Sequence, residues 1–209
     1  MKLRFLLATL PCVPMLVACG GDGPEVTVPE APAGVHVVAT GDEQAPSTGY
    51  YHVGDDGTAT LSIEDPSSTK VTQLYRRDGH GPWRSVPAAT KDVEVSFLER
   101  RSDGTVIGTL ADLAGRHATA VSDSTVAVFD ITPDGRVTPA SGSTCRIEGE
   151  VLVATPPGTF RLDLTASRCA GVPSRLTGTL VSNAAWVAQK FRLFLEGDDT
   201  VQDWWAYSD

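Results

Sequence analysis

The sequence lacks the short motifs that mark catalytic and metal sites. It has no Gly-x-Ser-x-Gly elbow, no His-x-x-x-His or Cys-x-x-Cys pair, no phosphate-binding glycine loop and no Asp-x-Asp-x-Asp-Gly calcium loop. The four histidines share no common spacing: His36, His52, His80 and His117. A catalytic triad or carboxylate pair assembled from distant residues leaves no local signature. Because the sequence has none of the local motifs, we expect a non-enzymatic protein without a metal or a cofactor.

The chain has fewer basic than acidic residues. The chain has 17 Lys and Arg against 26 Asp and Glu, for a formal net charge of −9. This charge makes nucleic acid and anionic lipid headgroups poor partners for the domain as a whole. It suits a basic protein partner, while solubility alone is the simpler explanation of the acidity.

The sequence also has no long segment in which apolar residues recur at the spacing of a helix. Apolar residues instead recur with a period of two, in short segments bounded by turn residues, which is typical of strands. Four Asp-Gly dipeptides after residue 35 favour successive antiparallel hairpins: Asp56-Gly57, Asp78-Gly79, Asp103-Gly104 and Asp134-Gly135. We predict an all-β fold, an antiparallel barrel or sandwich of about ten to twelve strands. Two consecutive small β subdomains, meeting near residues 138–142, are the alternative.

The N-terminus carries an apolar leader with Lys2 and Arg4 at its start. It is too short to span a bilayer, for which a helix needs about 20 apolar residues. Its last residues, Leu16-Val17-Ala18-Cys19, resemble the lipobox of bacterial lipoproteins. That resemblance implies a signal peptide over residues 1–18, diacylation of the Cys19 thiol and attachment to the lipid bilayer. The alternative is an ordinary secretory signal cut after Gly20, which would discard Cys19.

The lipoprotein resemblance also implies a location in the bacterial cell envelope. Gly20 after the cysteine resembles the pattern of lipoproteins sent to the outer membrane, and we expect the domain to face the periplasm. Residues 19–34 are rich in Gly and Pro and are predicted to be the lipidated cysteine and a flexible tether. The folded β-rich domain is predicted to cover residues 35–209.

The cysteine count predicts one disulfide bond. If Cys12 leaves with the leader and Cys19 carries lipid, Cys145 and Cys169 remain in a compartment that permits disulfides. Metal ligation by two thiolates is the weaker alternative, because neither cysteine has a neighbouring ligand at a suitable spacing.

The clearest strand pair lies between these two cysteines. The apolar residues of its first strand carry odd numbers, from Cys145 to Val153, and those of its second carry even numbers, from Phe160 to Ala166. Antiparallel partners on one face then have an odd index sum, whereas Cys145 and Cys169 have an even one. We therefore predict a one-residue bulge between the turn and the disulfide, at Gly149.

Aromatic and acidic residues crowd together near the C-terminus. Trp204 and Trp205 must point to opposite faces of a strand, so one can fill the core while the other points outward. The candidate partner-binding residues are Asp198, Asp199, Trp204, Trp205 and Tyr207. The competing interpretation is that another element covers the outward tryptophan.

These features favour a lipid-anchored envelope protein that acts by binding. In organisation it is similar to periplasmic inhibitors of lysozyme and to immunity lipoproteins, although no residue motif carries that similarity. The first alternative is a lipocalin-like carrier of a small apolar ligand, which needs a central cavity. The second is a structural envelope component that docks through a strand edge.

Overall fold

The computed structural model describes residues 23–103, 108–183 and 189–209. The predicted signal peptide, residues 1–18, and the predicted lipidation site Cys19 lie outside this range. The strands of the described residues are β1 (Val26–Thr27), β2 (Gly34–Asp42), β3 (Ala45–Val53), β4 (Ala59–Glu64), β5 (Val71–Arg77), β6 (Arg84–Val86), β7 (Val93–Glu94), β8 (Phe97–Asp103), β9 (Gly115–Ser122), β10 (Thr125–Ile131), β11 (Arg136–Pro139), β12 (Arg146–Val153), β13 (Thr159–Ser167), β14 (Arg175–Val181), β15 (Phe191–Gly197) and β16 (Thr200–Ser208).

The all-β prediction is confirmed. Eight antiparallel strands close a barrel in the order β10-β11-β12-β13-β14-β15-β16-β9, and six form an open sheet in the order β6-β5-β4-β3-β2-β8. The helical content of the described residues is one 3₁₀ turn, Leu110–Leu113. Sixteen strands exceed the predicted ten to twelve, because short strands such as β1, β6 and β7 carry too few residues to show alternation. Within the described range, no helix is long and apolar enough to cross a membrane.

The open sheet is apolar on both faces. One face carries Tyr51, Leu61 and Tyr75, which pack against Val26 and Val28. These valines belong to residues 24–30, which we call the β1 segment. The other face rests on the barrel through a separate apolar cluster made of Val71, Leu74, Val86, Val181 and Phe194. We call this contact between sheet and barrel the junction. The sheet is therefore buried between the N-terminal segment and the barrel.

The expectation of a flexible tether up to residue 34 is wrong for the described part of that segment. Strand β1 pairs in parallel with β7, and Val26 and Val28 are only 8% and 4% exposed. Tyr51 donates a hydrogen bond to the Pro29 carbonyl oxygen at 3.2 Å. The two valines are the physical reason, because the free energy gained by burying them outweighs the conformational entropy lost when the segment is ordered.

The predicted subdomain boundary near residues 138–142 is also wrong. These residues connect β11 to β12 inside the barrel. The chain leaves the open sheet at Asp103 and enters the barrel at Gly115, so the change of architecture falls between them. The predicted domain start at residue 35 likewise lies inside the open sheet, one residue after β2 begins.

The predicted disulfide pair is found, with the Cys145 and Cys169 sulfurs 2.06 Å apart. The predicted bulge at Gly149 is wrong, because β12 and β13 stay in one register from Arg146–Ser167 to Val153–Phe160. The extra residue is Arg168, which follows the end of β13 and has a φ of 59°. The single unpaired residue that the index sums require therefore lies beside the disulfide.

Gly149 has a different role, namely close approach of two backbones. Its φ is 145°, and a Cβ atom there would lie 2.1 Å from the Asp163 carbonyl oxygen. Val153, predicted on the inward face, is 74% exposed because β12 ends at this residue.

Candidate functional site: two grooves beside the C-terminal hairpin

The predicted division of the tryptophan pair is confirmed. Trp204 is 3% exposed and belongs to the barrel core, while Trp205 lies on the outer face of β16 and is half-buried. The pleat of the strand produces this division, because successive side chains point to opposite faces. Trp204 is therefore a core residue.

Trp205 covers a buried arginine at the junction. The Arg192 guanidinium carbon lies 4.5 Å from the centre of the Trp205 ring and 5.0 Å from that of Phe194. Arg192 and Trp205 are cross-strand partners on β15 and β16. A guanidinium between two aromatic faces is a stabilising cation–π arrangement. Trp205 thus supports the junction. This favours the interpretation that the outward tryptophan is covered by other parts of the protein.

The charged groups around Arg192 tie the sheet to the barrel. Arg192 is 0% exposed and donates to the Asp203 carboxylate at 2.8 and 2.6 Å and to Glu64 of strand β4 at 2.6 Å. The Thr69 carbonyl oxygen accepts a further hydrogen bond at 2.8 Å. Burial lowers the pKa of Arg192, but its hydrogen bonds to the Asp203 and Glu64 carboxylates and their negative charges outweigh that effect, so the pKa is raised overall. The guanidinium is therefore charged, and each of its three nitrogen atoms donates at least one hydrogen bond.

Asp198 and Asp199 form the turn between β15 and β16. Both have positive φ angles, 50° and 56°, as a two-residue hairpin turn of this kind requires. The Asp199 carboxylate accepts a hydrogen bond from the Ala88 backbone N–H at 2.7 Å, which ties the turn to the loop after β6. Both side chains are exposed, and the turn holds them in a defined position.

These carboxylates lie on the rim of a groove of about 680 Å³, which we call the hairpin groove. Its lining includes Pro24, Trp83, Arg84, Ser85, Glu196, Asp198 and Asp199. The aromatic residue beside these carboxylates is Trp83. The sequence predicted a C-terminal tryptophan in this role, but Trp83 comes from the segment after Asp78-Gly79. The sequence distance of more than a hundred residues hid this association.

Two polar groups of the hairpin groove have unused hydrogen-bonding capacity among the described residues. The Ser85 hydroxyl and the Glu196 Oε2 atom are buried and have no partner. The other Glu196 oxygen, Oε1, accepts from Arg76 and from the Thr177 hydroxyl, each at 3.0 Å. Buried polar atoms without partners are uncommon in native proteins, and here two belong to residues that line one groove.

A second groove of about 580 Å³ lies on the other side of β16. It is lined by Trp205 and Tyr207, with Val71 and Pro87 from the sheet and Val121 from the barrel. Tyr207 is 40% exposed. The predicted patch is therefore split, because Asp198 and Asp199 line one groove whereas Trp205 and Tyr207 line the other.

The described part of the chain offers no cluster of three or more His, Cys, Asp or Glu residues suited to a metal ion. Inside the barrel, the cavity between Phe129, Leu162, Trp204 and their neighbours measures only about 10 Å³. The interior is therefore packed with side chains, as in small closed barrels.

Comparisons of the chain with protein families, with characterised proteins and with solved structures found no match. The grooves and the charges around them therefore carry the functional argument.

Proposed function

We propose that this protein is a lipid-anchored envelope protein that acts by binding a basic protein partner in the hairpin groove. The observation that carries the proposal is the position of Asp198 and Asp199, fixed by their turn on the rim of a groove that also contains Trp83. Fixed carboxylates beside an aromatic wall suit a lysine or arginine side chain of a partner.

The charges of the groove also indicate the kind of segment it takes. Arg84 and Arg175 line the groove together with the three carboxylates. The bound segment should therefore have mixed charge, with a cationic side chain for the carboxylates and an acidic or polar side chain for the arginines. The net charge of −9 adds long-range attraction for a basic partner.

The packed barrel gives no support to a lipocalin-like carrier. A cavity of about 10 Å³ is at the lower limit for a single water molecule. Docking through a sheet edge has weak support, since β6 and β8 are the edges of the open sheet. β6 has only three residues, and β8 carries two adjacent charged residues, Arg100 and Arg101. A short edge strand and a charged edge strand both oppose pairing with another chain.

Binding to purified cationic envelope hydrolases, beginning with lysozyme, tests the proposal. The soluble form consists of residues 20–209 secreted behind a standard leader. We expect binding at low ionic strength that weakens with added salt, because the Debye length falls from about 30 Å at 0.01 M to about 8 Å at 0.15 M. Failure to bind any cationic hydrolase at low salt would refute the proposal.

A matched pair of double variants locates the site. Asp198→Asn with Asp199→Asn removes two rim charges, and Asp134→Asn with Glu150→Gln removes two exposed charges elsewhere on the barrel. We expect the first variant to weaken binding about tenfold, close to 1.4 kcal/mol, and the second to change it by about twofold or less. Equal effects of the two variants would mean that net charge, and not the hairpin groove, governs binding.

A further inference from the structure

The chain enters the fold at the hairpin groove. Pro24 and Val26, among the first described residues, line it together with Asp198 and Asp199. A lipid anchor N-terminal to Pro24 would therefore be connected to the folded protein at the hairpin groove.

The residues that follow Pro24 are held along the whole β1 segment. The Glu25 N–H donates to the Asp92 carboxylate at 2.9 Å, and the Glu25 and Thr27 carbonyl oxygens accept from Val93 and Val95 at 2.8 and 2.9 Å. The Glu30 carboxylate accepts from Arg77 at 3.0 Å. That hydrogen bond lowers the pKa of Glu30, which keeps the pair charged. With these contacts in place, residues 25–30 cannot serve as a spacer.

The remaining spacer is short. Five residue steps separate Cys19 from Pro24, and an extended chain covers at most about 3.6 Å per step, or about 18 Å in all. The fourteen residues from 20 to 33 would reach about 50 Å if all of them were free. Packing of the β1 segment thus removes most of the distance that the sequence allows.

We infer that the anchored protein holds the hairpin groove within about 20 Å of the bilayer surface, so that its partner is a cationic protein at that same surface. This inference rests on the proposed acylation of Cys19. A basic partner concentrates at anionic headgroups, and tethering places the groove where that partner accumulates. Confinement of both proteins to one surface raises their effective concentration without any new contact.

The test measures the depth of two labelled positions. Acylated protein, residues 19–209, is reconstituted into phosphatidylcholine vesicles that contain nitroxide-headgroup lipid, with a fluorophore on Ala88→Cys or on Pro133→Cys. Ala88 is exposed and lines the hairpin groove, whereas Pro133 is exposed in the β10–β11 turn. Alternating strand directions put that turn at the opposite end of the barrel from Asp198. A strand the length of β16 is about 26 Å long and, with the usual tilt of about 40°, separates the two ends of the barrel by about 20 Å, which exceeds the short range of nitroxide quenching.

We expect the Ala88 label to be quenched at least about twofold more than the Pro133 label. Insertion of twenty Gly and Ser residues between Gly21 and Asp22 adds a coil of about 25 Å and should abolish the difference. Equal quenching of the two labels, or no effect of the insertion, would overturn the placement.

Mass spectrometry of the same preparation separates this failure from failure of the proposed function. Protein without acyl chains refutes the anchor and the placement together. Acylated protein with equal quenching at both positions refutes the placement alone and leaves the hairpin groove intact as a binding site.

Discussion

Arg192 and Asp203 form a buried ion pair across strands β15 and β16, with Arg192 Nη2 2.6 Å from Asp203 Oδ2. Neither side chain is more than 4% exposed. Asp203 also accepts the Val71 backbone N–H at 2.8 Å, and Arg192 also binds Glu64, so both partners reach from the barrel into the open sheet. The pair therefore couples the stability of the two sheets.

Replacement of Arg192 by Met should destabilise the protein by about 3–5 kcal/mol, because it leaves the Asp203 and Glu64 carboxylates buried without their cation. Arg116→Met is the matched control, since Arg116 pairs with Asp130 on the surface and both are well exposed. That control should cost no more than about 1 kcal/mol. Urea denaturation measures both, and similar losses for the two variants would show that the junction does not depend on the buried pair.

Gly149→Ala should destabilise the barrel by at least about 3 kcal/mol, since its Cβ would meet the Asp163 carbonyl oxygen and the β12–β13 pair must open to admit it. Gly142→Ala is the control: its φ is 86°, and nothing lies within 4 Å of an added Cβ. Backbone strain alone should then cost about 1 kcal/mol. Thermal unfolding of the two variants compares them, and a tolerated alanine at 149 would contradict the close approach.

Removal of the disulfide by Cys145→Ala with Cys169→Ala should cost about 3–4 kcal/mol, because the bond closes a loop with a sequence separation of 24. The free energy of unfolding from urea titrations measures the loss. Native protein unfolded with a reductant serves as the control and should behave like the double variant. If the oxidised protein and the double variant unfold at the same urea concentration, the bond contributes nothing.

His52 should make stability depend on pH. Burial lowers its pKa to about 4, against which the hydrogen bond with the Pro157 carbonyl oxygen acts only in part. The pKa of this histidine in the unfolded chain is near 6.5, so as the pH falls the unfolded chain binds a proton before the folded protein does. The contribution of His52 to stability is therefore fully present above that pH and is lost as the pH drops toward 4. Between pH 7 and pH 5 the loss from this group should be about 2 kcal/mol.

His52→Gln should remove most of that pH dependence, as urea titrations at pH 7 and pH 5 would measure. His117, whose pKa burial also lowers, adds a contribution of the same sign that the variant retains. His80→Gln is the control, because His80 is exposed, and it should leave the slope unchanged. A slope that is the same in both variants would exclude His52 as the source.

The register of β12 and β13 shows how far residue patterns lead. Alternation correctly placed Ile147 and Leu162 in the core, and parity correctly demanded one unpaired residue before the disulfide. The position was wrong, because a glycine in a strand suits either a bulge or a close backbone approach, and only the neighbouring strand distinguishes the two.

The two grooves beside the C-terminal hairpin were beyond prediction for a similar reason. Asp199 and Trp205 are six residues apart and were assigned to one patch, but they belong to different grooves. Trp83, which shares a groove with Asp199, lies more than a hundred residues earlier in the chain. Long-range packing creates such associations, and no local period records them.

Alternating residues, Asp-Gly turns and two remaining cysteines were enough to establish the β class, the main strand pair and the disulfide, because each reflects chain geometry over a few residues or a simple count. The packed β1 segment, the junction around Arg192 and the hairpin groove arise when strands distant in the chain bury apolar area and pair charges together. Whether Pro24 to Glu30 form a free tether or part of the core was settled by the sheet on which Val26 and Val28 pack, since the free energy of burial depends on the surface that receives them.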